Sequence, residues 1–450
     1  MSFHSSPASG SLSHTPNVEA SRMRSLCRRM LLAILLFQGL VFAAAVYHHR
    51  GEWLYSDAVF YERPAWNLVR GYGFSMARDE WEDPELTRLY QARHPEAASA
   101  RFVPAATFPP GYSFLLAGIY GLVGRNHFAA VLVNGGLVLA MLVLLFRLAT
   151  RAYGYSWETV AALALAGSYP MWAYWGSRLM SDIWHVFLIV LCADVLFTDK
   201  VTVRRAALAG LILGAAVLVR PYALALPVAF GIAGRLLRFP AFRLRYVLPV
   251  TLGMCLPVGM WVVRNYFAFG QPLFVSMGGG YGLWLSTREP WVHTPEWERA
   301  VRRELRELGI RQAYWRSEDA RLREIALEHI RQHPVRWALA SFAKIPRRWI
   351  HLGVYTSGWT KVLLGLYFGV GFVLLVMGLF FLLRPREHVV LAGSLVLVLY
   401  YSLVFLPFHV EARYMLPARP FAVLISAPAV VVLIRALISR LRLRRVPEGA

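Results

Sequence analysis

The feature that most constrains this chain is a succession of apolar blocks, each of roughly 14–22 residues, almost free of charge and separated by arginine-rich connections. As helices, blocks of that length cross or nearly cross a bilayer with every backbone group bonded internally. They occur at about 30–47, 128–146, 159–176, 183–198, 206–219, 221–235, 246–263, 361–383, 389–407 and 418–438. Hydrophobic residues make up 57% of the chain, more apolar surface than a soluble domain of 450 residues can bury. The sequence therefore specifies an all-α integral membrane protein.

A formal charge of +22 might suggest nucleic acid, but no DNA- or RNA-binding motif is present and the arginines flank the apolar blocks. Positive flanks of membrane helices account for the pattern, so nucleic acid is excluded as a partner and membrane lipids are expected. Among the 48 basic residues only Lys200, Lys344 and Lys361 are lysines, a bias that points to a GC-rich, bacterial genome and hence to the cytoplasmic (inner) membrane. Cys27, Cys192 and Cys255 lie in or beside apolar blocks with no ligand spacing, which argues against a disulfide or zinc framework.

Residues 1–21 lack periodicity and read as a disordered cytoplasmic tail. Arg22, Arg24, Arg28 and Arg29 then precede the first block, which reads as an uncleaved helix with its basic end inside. A further block at 111–124 is short for a crossing. If it lies along the surface, Arg147, Arg151 and every later basic cluster fall in the cytoplasm; if it crosses, all of them fall outside. The positive-inside tendency selects ten crossings with both termini cytoplasmic, in a membrane domain spanning 22–450. Two long segments then lie outside, 48–110 and 264–340, the second with a helical rhythm from Glu296 to His333. Arg220-Pro221 marks a tight turn at the outer surface, and the basic tail 440–450 suits anionic lipid on the inner one.

By the same count Asp57, Arg178, Asp182, Arg220, Arg264, His409, Glu411 and Arg413 lie near outer helix ends. Any one of them can simply reach for headgroups. As a set beside two large loops, they suit an anionic lipid headgroup. Asp57 stands among Tyr55, Phe60 and Tyr61, aromatic neighbours able to hold a general base and stack on a sugar. Within the acidic stretch Asp79–Asp83, Glu80 or Glu82 is the candidate second carboxylate in what otherwise reads as a solvated face. His329 and His333 share a helix face without a third metal ligand, and no Asp-x-Asp triplet is present. Gly278-Gly279-Gly280 lacks the lysine of a P-loop and reads as a flexible turn.

Several motifs carry a resemblance: Asp57 just past the first helix, Asn67-Leu-Val-Arg-Gly-Tyr-Gly-Phe74, Phe108-Pro-Pro-Gly-Tyr-Ser113, Arg147-Leu-Ala-Thr-Arg151, Arg178-Leu-Met-Ser-Asp182, Arg220-Pro221, Val263-Arg264-Asn265-Tyr266 through Gly270, Ser276 through Trp284, and Glu411-Ala-Arg413-Tyr414-Met-Leu-Pro417. In order and spacing the chain resembles the GT-C glycosyltransferases, and within them the protein O-mannosyltransferase and aminoarabinose transferase group. The resemblance implies a bundle of spanning helices with surface-lying helices in the first external loop. It implies an inverting hexosyl- or pentosyltransferase that takes a sugar from a polyprenyl-phosphate carrier to an envelope lipid, glycan or protein at the outer face. Asp57 matches the family's catalytic acid, and Arg220, Arg264 and Arg413 are candidates for the donor phosphate, whose leaving charge cations stabilise without a metal cofactor. Tyr61, Asp182, His409 and Glu411 are accessory candidates. The sequence departs from the protein mannosyltransferases in following Asp57 with Ala58 rather than a second acid, and from its relatives in Leu285-Ser286-Thr287. The rival readings are a multi-span lipid or solute transporter and a non-catalytic assembly protein of the same fold. The apolar centres of most blocks count against the first and the intact Asp57 against the second.

Overall fold

The structure, a computed structural model, describes residues 15–54, 56–81, 83–237, 242–288, 295–350, 358–382, 388–409 and 411–443. Helix α1 runs Thr15–His48, so residues 15–21, expected in the tail, already belong to the first helix. The first loop follows, with α2 (Ala58–Val69), strand β1 (Ser75–Ala77), α3 (Arg78–Trp81), α4 (Pro84–Arg93), strand β2 (Phe102–Pro104) and α5 (Gly111–Val123). Next come α6 (His127–Tyr153), α7 (Trp157–Gly167), α8 (Met171–Gly176), α9 (Asp182–Leu196), α10 (Val203–Val219), α11 (Leu226–Leu237) and α12 (Leu244–Phe269). The second loop holds α13 (Gly279–Arg288), α14 (Pro295–Glu307), α15 (Arg316–Gln332) and α16 (Pro334–Ile350). The chain ends with α17 (Gly358–Leu382), α18 (Val389–Leu403), the 3-10 turn Ala412–Ala418 and α19 (Arg419–Leu443).

Each of the ten apolar blocks falls on helix, and the chain is a multi-pass membrane protein. Among the described residues five helices are long and apolar enough to cross by themselves, those within α1, α6, α12, α17 and α19. The others are shorter and continue through breaks. The block 159–176 is split into α7 and α8, with Pro170 at the start of α8, because proline has no amide to continue the ladder. Helix α10 stops at Val219; Arg220 is extended and Pro221 opens a 3-10 turn, as the Arg-Pro pair implied. Helix α5, 13 residues and about 20 Å long, falls short of the roughly 30 Å hydrocarbon core. It lies instead in the first loop, so close to α10 that a side chain at Gly111 would meet Leu218 backbone at 2.7 Å.

Small residues draw the spanning helices together, as in membrane packing generally: Ala206, Ala209 and Ala216 of α10 are fully buried where it meets α9 and α12. This packing sorts helix ends onto two faces. At one, Arg147 and Arg151 at the end of α6 clamp Asp194 near the end of α9 at 3.1 and 2.9 Å. At the other, the starts of α9 and α19 and the end of α10 meet the two loops.

Each loop is a folded unit. A three-residue antiparallel ribbon, Ser75 opposite Pro104, crosses the first loop and is an addition to the all-α expectation. The helical rhythm over Glu296–His333 is carried by two helices, parted near Gly309, whose φ of +69° suits glycine. Helices α13, α14 and α15 bury Trp284, Val301, Leu322 and Ala326 against one another. Gly278–Gly280 is no flexible turn: a Cβ on Gly280 would stand 1.9 Å from the Asp319 carbonyl oxygen, so glycine lets α13 touch α15. The two loops are locked together where Asp83 accepts a hydrogen bond from the Arg316 amide at 2.7 Å and Glu85 pairs with the Arg316 guanidinium at 3.2 Å.

Candidate functional site

Asp57 is the last residue before α2 and follows Ser56, the one non-glycine residue with positive φ among those described, at +51°. Such a conformation is uncommon and costly for a residue with a side chain, and the Asp57 carboxylate that follows makes no cap hydrogen bond to α2. The carboxylate is partly exposed, 22%, and Arg413 Nη2 donates to Asp57 Oδ2 at 3.2 Å. The same guanidinium forms an ion pair with Glu411, its Nε 2.9 Å from Oε2, and donates from Nη2 to Glu411 Oε1 at 3.4 Å. One arginine on the 3-10 turn before α19 therefore holds two carboxylates.

A second ion pair lies beside the first. Arg220, extended at the end of α10, donates from Nη2 to Asp182 Oδ2 at 2.7 Å and from Nε to Ser181 Oγ at 3.0 Å. Ser181 passes the chain on to the Tyr61 hydroxyl at 3.3 Å. Tyr61 on α2 feels both pairs: burial pushes its phenol up to about 12, with Arg220 opposing and Asp57 assisting. Tyr414 bridges them from the other side, within cation–π distance of Arg220 and Arg413 at 5.7 and 5.4 Å. Arg413, Arg220, Asp57, Glu411 and Asp182 bring more acid than base to this spot, so its cations are largely committed to carboxylates.

The remaining expected residues lie elsewhere. Arg264 donates to the carbonyls of Phe74 and Ala105, at 2.8 and 2.9 Å, on either side of the ribbon. Its neighbour Asn265 holds the Leu273 carbonyl at 3.0 Å, and Asn67 holds that of Ser75 at 3.0 Å. These motif residues secure the loops. Arg178 donates to its own turn at Tyr174, 3.0 Å away, with its guanidinium over that ring. The His409 amide ties to the Gly282 carbonyl at 2.8 Å, with its ring 5.7 Å from Trp297. The side chain of Glu80 and all of Glu82 and Tyr55 lie outside the described residues. His329 and His333 stack edge to face at 5.2 Å, and no cluster of three or more metal-type ligands occurs among the described residues. Between Asp57 and Glu411 the positive charge is supplied by Arg413.

Two residues escaped sequence reasoning. Tyr314, in the turn between α14 and α15, packs on Phe108 and Tyr281 at 5.5 and 5.3 Å. Burial and then the nearby Asp57 raise its phenol far above its ordinary value. Only its spacing of two residues from Arg316, the inter-loop lock, hints at this in the sequence. Glu62, one residue past Tyr61, is fully buried and gripped in a fork by Arg125, at 2.6 and 2.8 Å, with His127 at 3.2 Å. This clamp fixes α2, and with it Asp57, against the corner between α5 and α6.

No family model and no curated protein matches the chain. Solved structures do. The fold is similar to that of solved archaeal oligosaccharyltransferase structures. The archaeal oligosaccharyltransferase AglB from Archaeoglobus fulgidus, in complex with an inhibitory peptide and a dolichol-phosphate, is similar over 93% of this chain and 52% of its own, at 13% identity and a TM-score of 0.51. The same enzyme in complex with Zn and sulfate is similar over 90% of this chain and 50% of its own, at 14% identity and a TM-score of 0.52. This chain thus spans about half the length of those structures. ArnT from Cupriavidus metallidurans, bound to undecaprenyl phosphate, aligns over 82% of this chain and 75% of its own at 15% identity, with a TM-score of 0.30 too low to bear on the fold.

Proposed function

We propose that this chain is a membrane glycosyltransferase that moves a sugar from a polyprenyl-phosphate carrier to an acceptor hydroxyl with inversion. The observation that carries the reading is the Asp57–Arg413 pair, a partly exposed carboxylate held at the junction of two folded loops on one face of a GT-C bundle. Asp57 takes the proton of the acceptor hydroxyl while that oxygen attacks the anomeric carbon. The bond from that carbon to the phosphate oxygen breaks, its electron pair leaving on the phosphate. Arg413, in contact with the base, is the cation that faces the growing charge, and Glu411 orients it. Arg220 and Asp182 support this pair from behind, with Tyr61 beside them through Ser181. Arg264 serves by holding the first loop in place.

The donor class is supported by the dolichol-phosphate bound in the oligosaccharyltransferase of like fold. The acceptor is an envelope lipid, glycan or protein. The membrane is the bacterial inner membrane, with both termini cytoplasmic and the site outside, as the arginine distribution favours. The test is transfer by the purified protein from a labelled polyprenyl-phosphate sugar, with and without chelator. Turnover that survives chelation and is lost in Asp57→Asn supports the reading. Turnover only with a nucleotide sugar, abolished by chelator, overturns it.

A further inference from the structure

Arg419 begins α19, at the far end of the same 3-10 turn that carries Arg413, and it is put to a different use. It is 7% exposed, no carboxylate pairs with it among the described residues, and its Nε is buried without a hydrogen-bond partner. Its Nη2 donates to the Trp349 carbonyl, and its guanidinium lies 5.6 Å from the ring centre of Tyr169 and 5.3 Å from that of Phe368. A buried guanidinium with an unsatisfied donor and no counter-ion is costly, and an anion relieves the cost.

Beside it is a cavity of about 300 Å³ between α7, α17 and α19, at the lower end of the roughly 300–1,000 Å³ typical of small-molecule sites. Its lining contains no carboxylate, and apart from Arg419 it is almost wholly apolar and aromatic. Leu366 and Val370 line it yet are 63% and 60% exposed on a spanning helix, so it opens sideways onto the bilayer. An apolar slot that opens to lipid and ends at an unpaired cation matches one kind of molecule: an amphiphile with a chain to bury and an anionic head.

We infer that this cavity is a binding site for an anionic glycerophospholipid drawn from the leaflet on the side of the Asp57–Arg413 pair. The carrier phosphate is the wrong occupant on geometric grounds. Arg413 and Arg419 are six residues apart on a 3-10 turn, about 12 Å at roughly 2.0 Å per residue. The residues around the two guanidinia do not overlap: Asp57, Glu411, Trp175 and Tyr414 for Arg413, and Tyr169, Trp349 and Phe368 for Arg419. A phosphate ester held at Arg419 would leave its sugar out of reach of Asp57.

The site can be closed without touching the transfer machinery. Gly371 lines the cavity and a Cβ there meets nothing within 4 Å, so Gly371→Phe fills it from the helix side. Full-length protein is exchanged into nanodiscs of equal phosphatidylglycerol and phosphatidylethanolamine, and retained lipid is counted by native mass spectrometry after release. Wild type keeps phosphatidylglycerol in preference by about tenfold, the worth of one charge-assisted hydrogen bond. Arg419→Gln loses the preference, Gly371→Phe loses the retained lipid, and Arg413→Gln changes neither. Val370→Trp, a substitution at an exposed position, repeats the Gly371→Phe result if that variant does not fold. The inference is overturned if the filled variants keep the lipid or wild type shows no headgroup preference. It is overturned equally if undecaprenyl phosphate displaces the lipid in wild type but not in Arg413→Gln, which would make this the carrier's seat.

Discussion

Arg413 Nη2 stands 3.2 Å from Asp57 Oδ2, a contact between residues 356 apart in the chain. It joins the first loop to the entry of the last helix, so the acid is positioned by the closure of the whole bundle. Arg413 is itself nearly buried and shared with Glu411. An acid held this way keeps Oδ2 toward Arg413, while Oδ1 accepts from the neighbouring Ser56 hydroxyl at 3.3 Å.

Replacing that acid should cost activity and spare the fold. A general base is worth typically about 10²–10⁴-fold, so Asp57→Asn should lower turnover at saturating donor by that factor. Its melting temperature in detergent should match wild type, because Asn still accepts from Arg413. Turnover above about a tenth of wild type removes Asp57 from the role of base.

Arg413→Gln should lower turnover as well, but the two losses should not add. If Arg413 acts on the same transition state that Asp57 serves, the double variant will be close to the worse single one. Rates for both singles and the double, at equal protein stability, decide this. Simple additivity would show two independent contributions.

Arg220 and Asp182 form a buried pair whose halves are dear to leave alone. Breaking such a pair costs about 3–5 kcal/mol, whereas replacing both partners by apolar residues is often nearly neutral. Arg220→Leu and Asp182→Leu should each lower thermal stability sharply, and the double variant should recover most of it. A double variant that is stable but inactive would assign Arg220 to the chemistry.

Acid should loosen the first loop through Glu62. Burial alone would raise its carboxyl, but the hydrogen bonds from His127 and Arg125 prevail and hold it at about 2, below its ordinary 4.5. A lowered carboxyl contributes stability that is full above the unfolded value and lost as pH falls through the folded one. Wild-type melting temperature should therefore drop between about pH 4.5 and 2, and Glu62→Gln should be less stable at neutral pH with a flatter fall. Identical pH profiles for the two proteins would show that the clamp does not contribute.

The proposed orientation predicts labelling. In a cysteine-free background, a cysteine at Glu298 should react with an impermeant thiol reagent in intact cells and one at Arg243 only after permeabilisation. The opposite result reverses the membrane sidedness of the site.

Much of the framework is readable directly from residue order. Charge-free blocks must be helices in a bilayer because no water is there to bond the backbone, so the helices and the Arg220-Pro221 break follow from local composition. Asp57, Asp182, Arg220, Glu411 and Arg413 could likewise be gathered at one set of helix ends by counting crossings. The order of the chain does not say which arginine meets which acid. Arg264 and Arg413 look alike in sequence, each at a helix end near a tyrosine, Tyr266 in one case and Tyr414 in the other. Only packing gives one to the carbonyls of Phe74 and Ala105 and the other to Asp57.

The same limit explains Tyr314 and Glu62. Their near neighbours do not say what covers them: Glu62 is buried by Arg125 and Tyr314 half-buried against Phe108, both far along the chain. Hydropathy is a property of a residue and its near neighbours, so the sequence by itself determined the helices, their apolar faces and the membrane they need. Burial of a charge or a phenol depends on surfaces brought together from distant segments. The tertiary structure alone decided which ion pairs form, and why Asp57 and Glu411 stay partly exposed, at 22% and 25%, while Asp182 is buried.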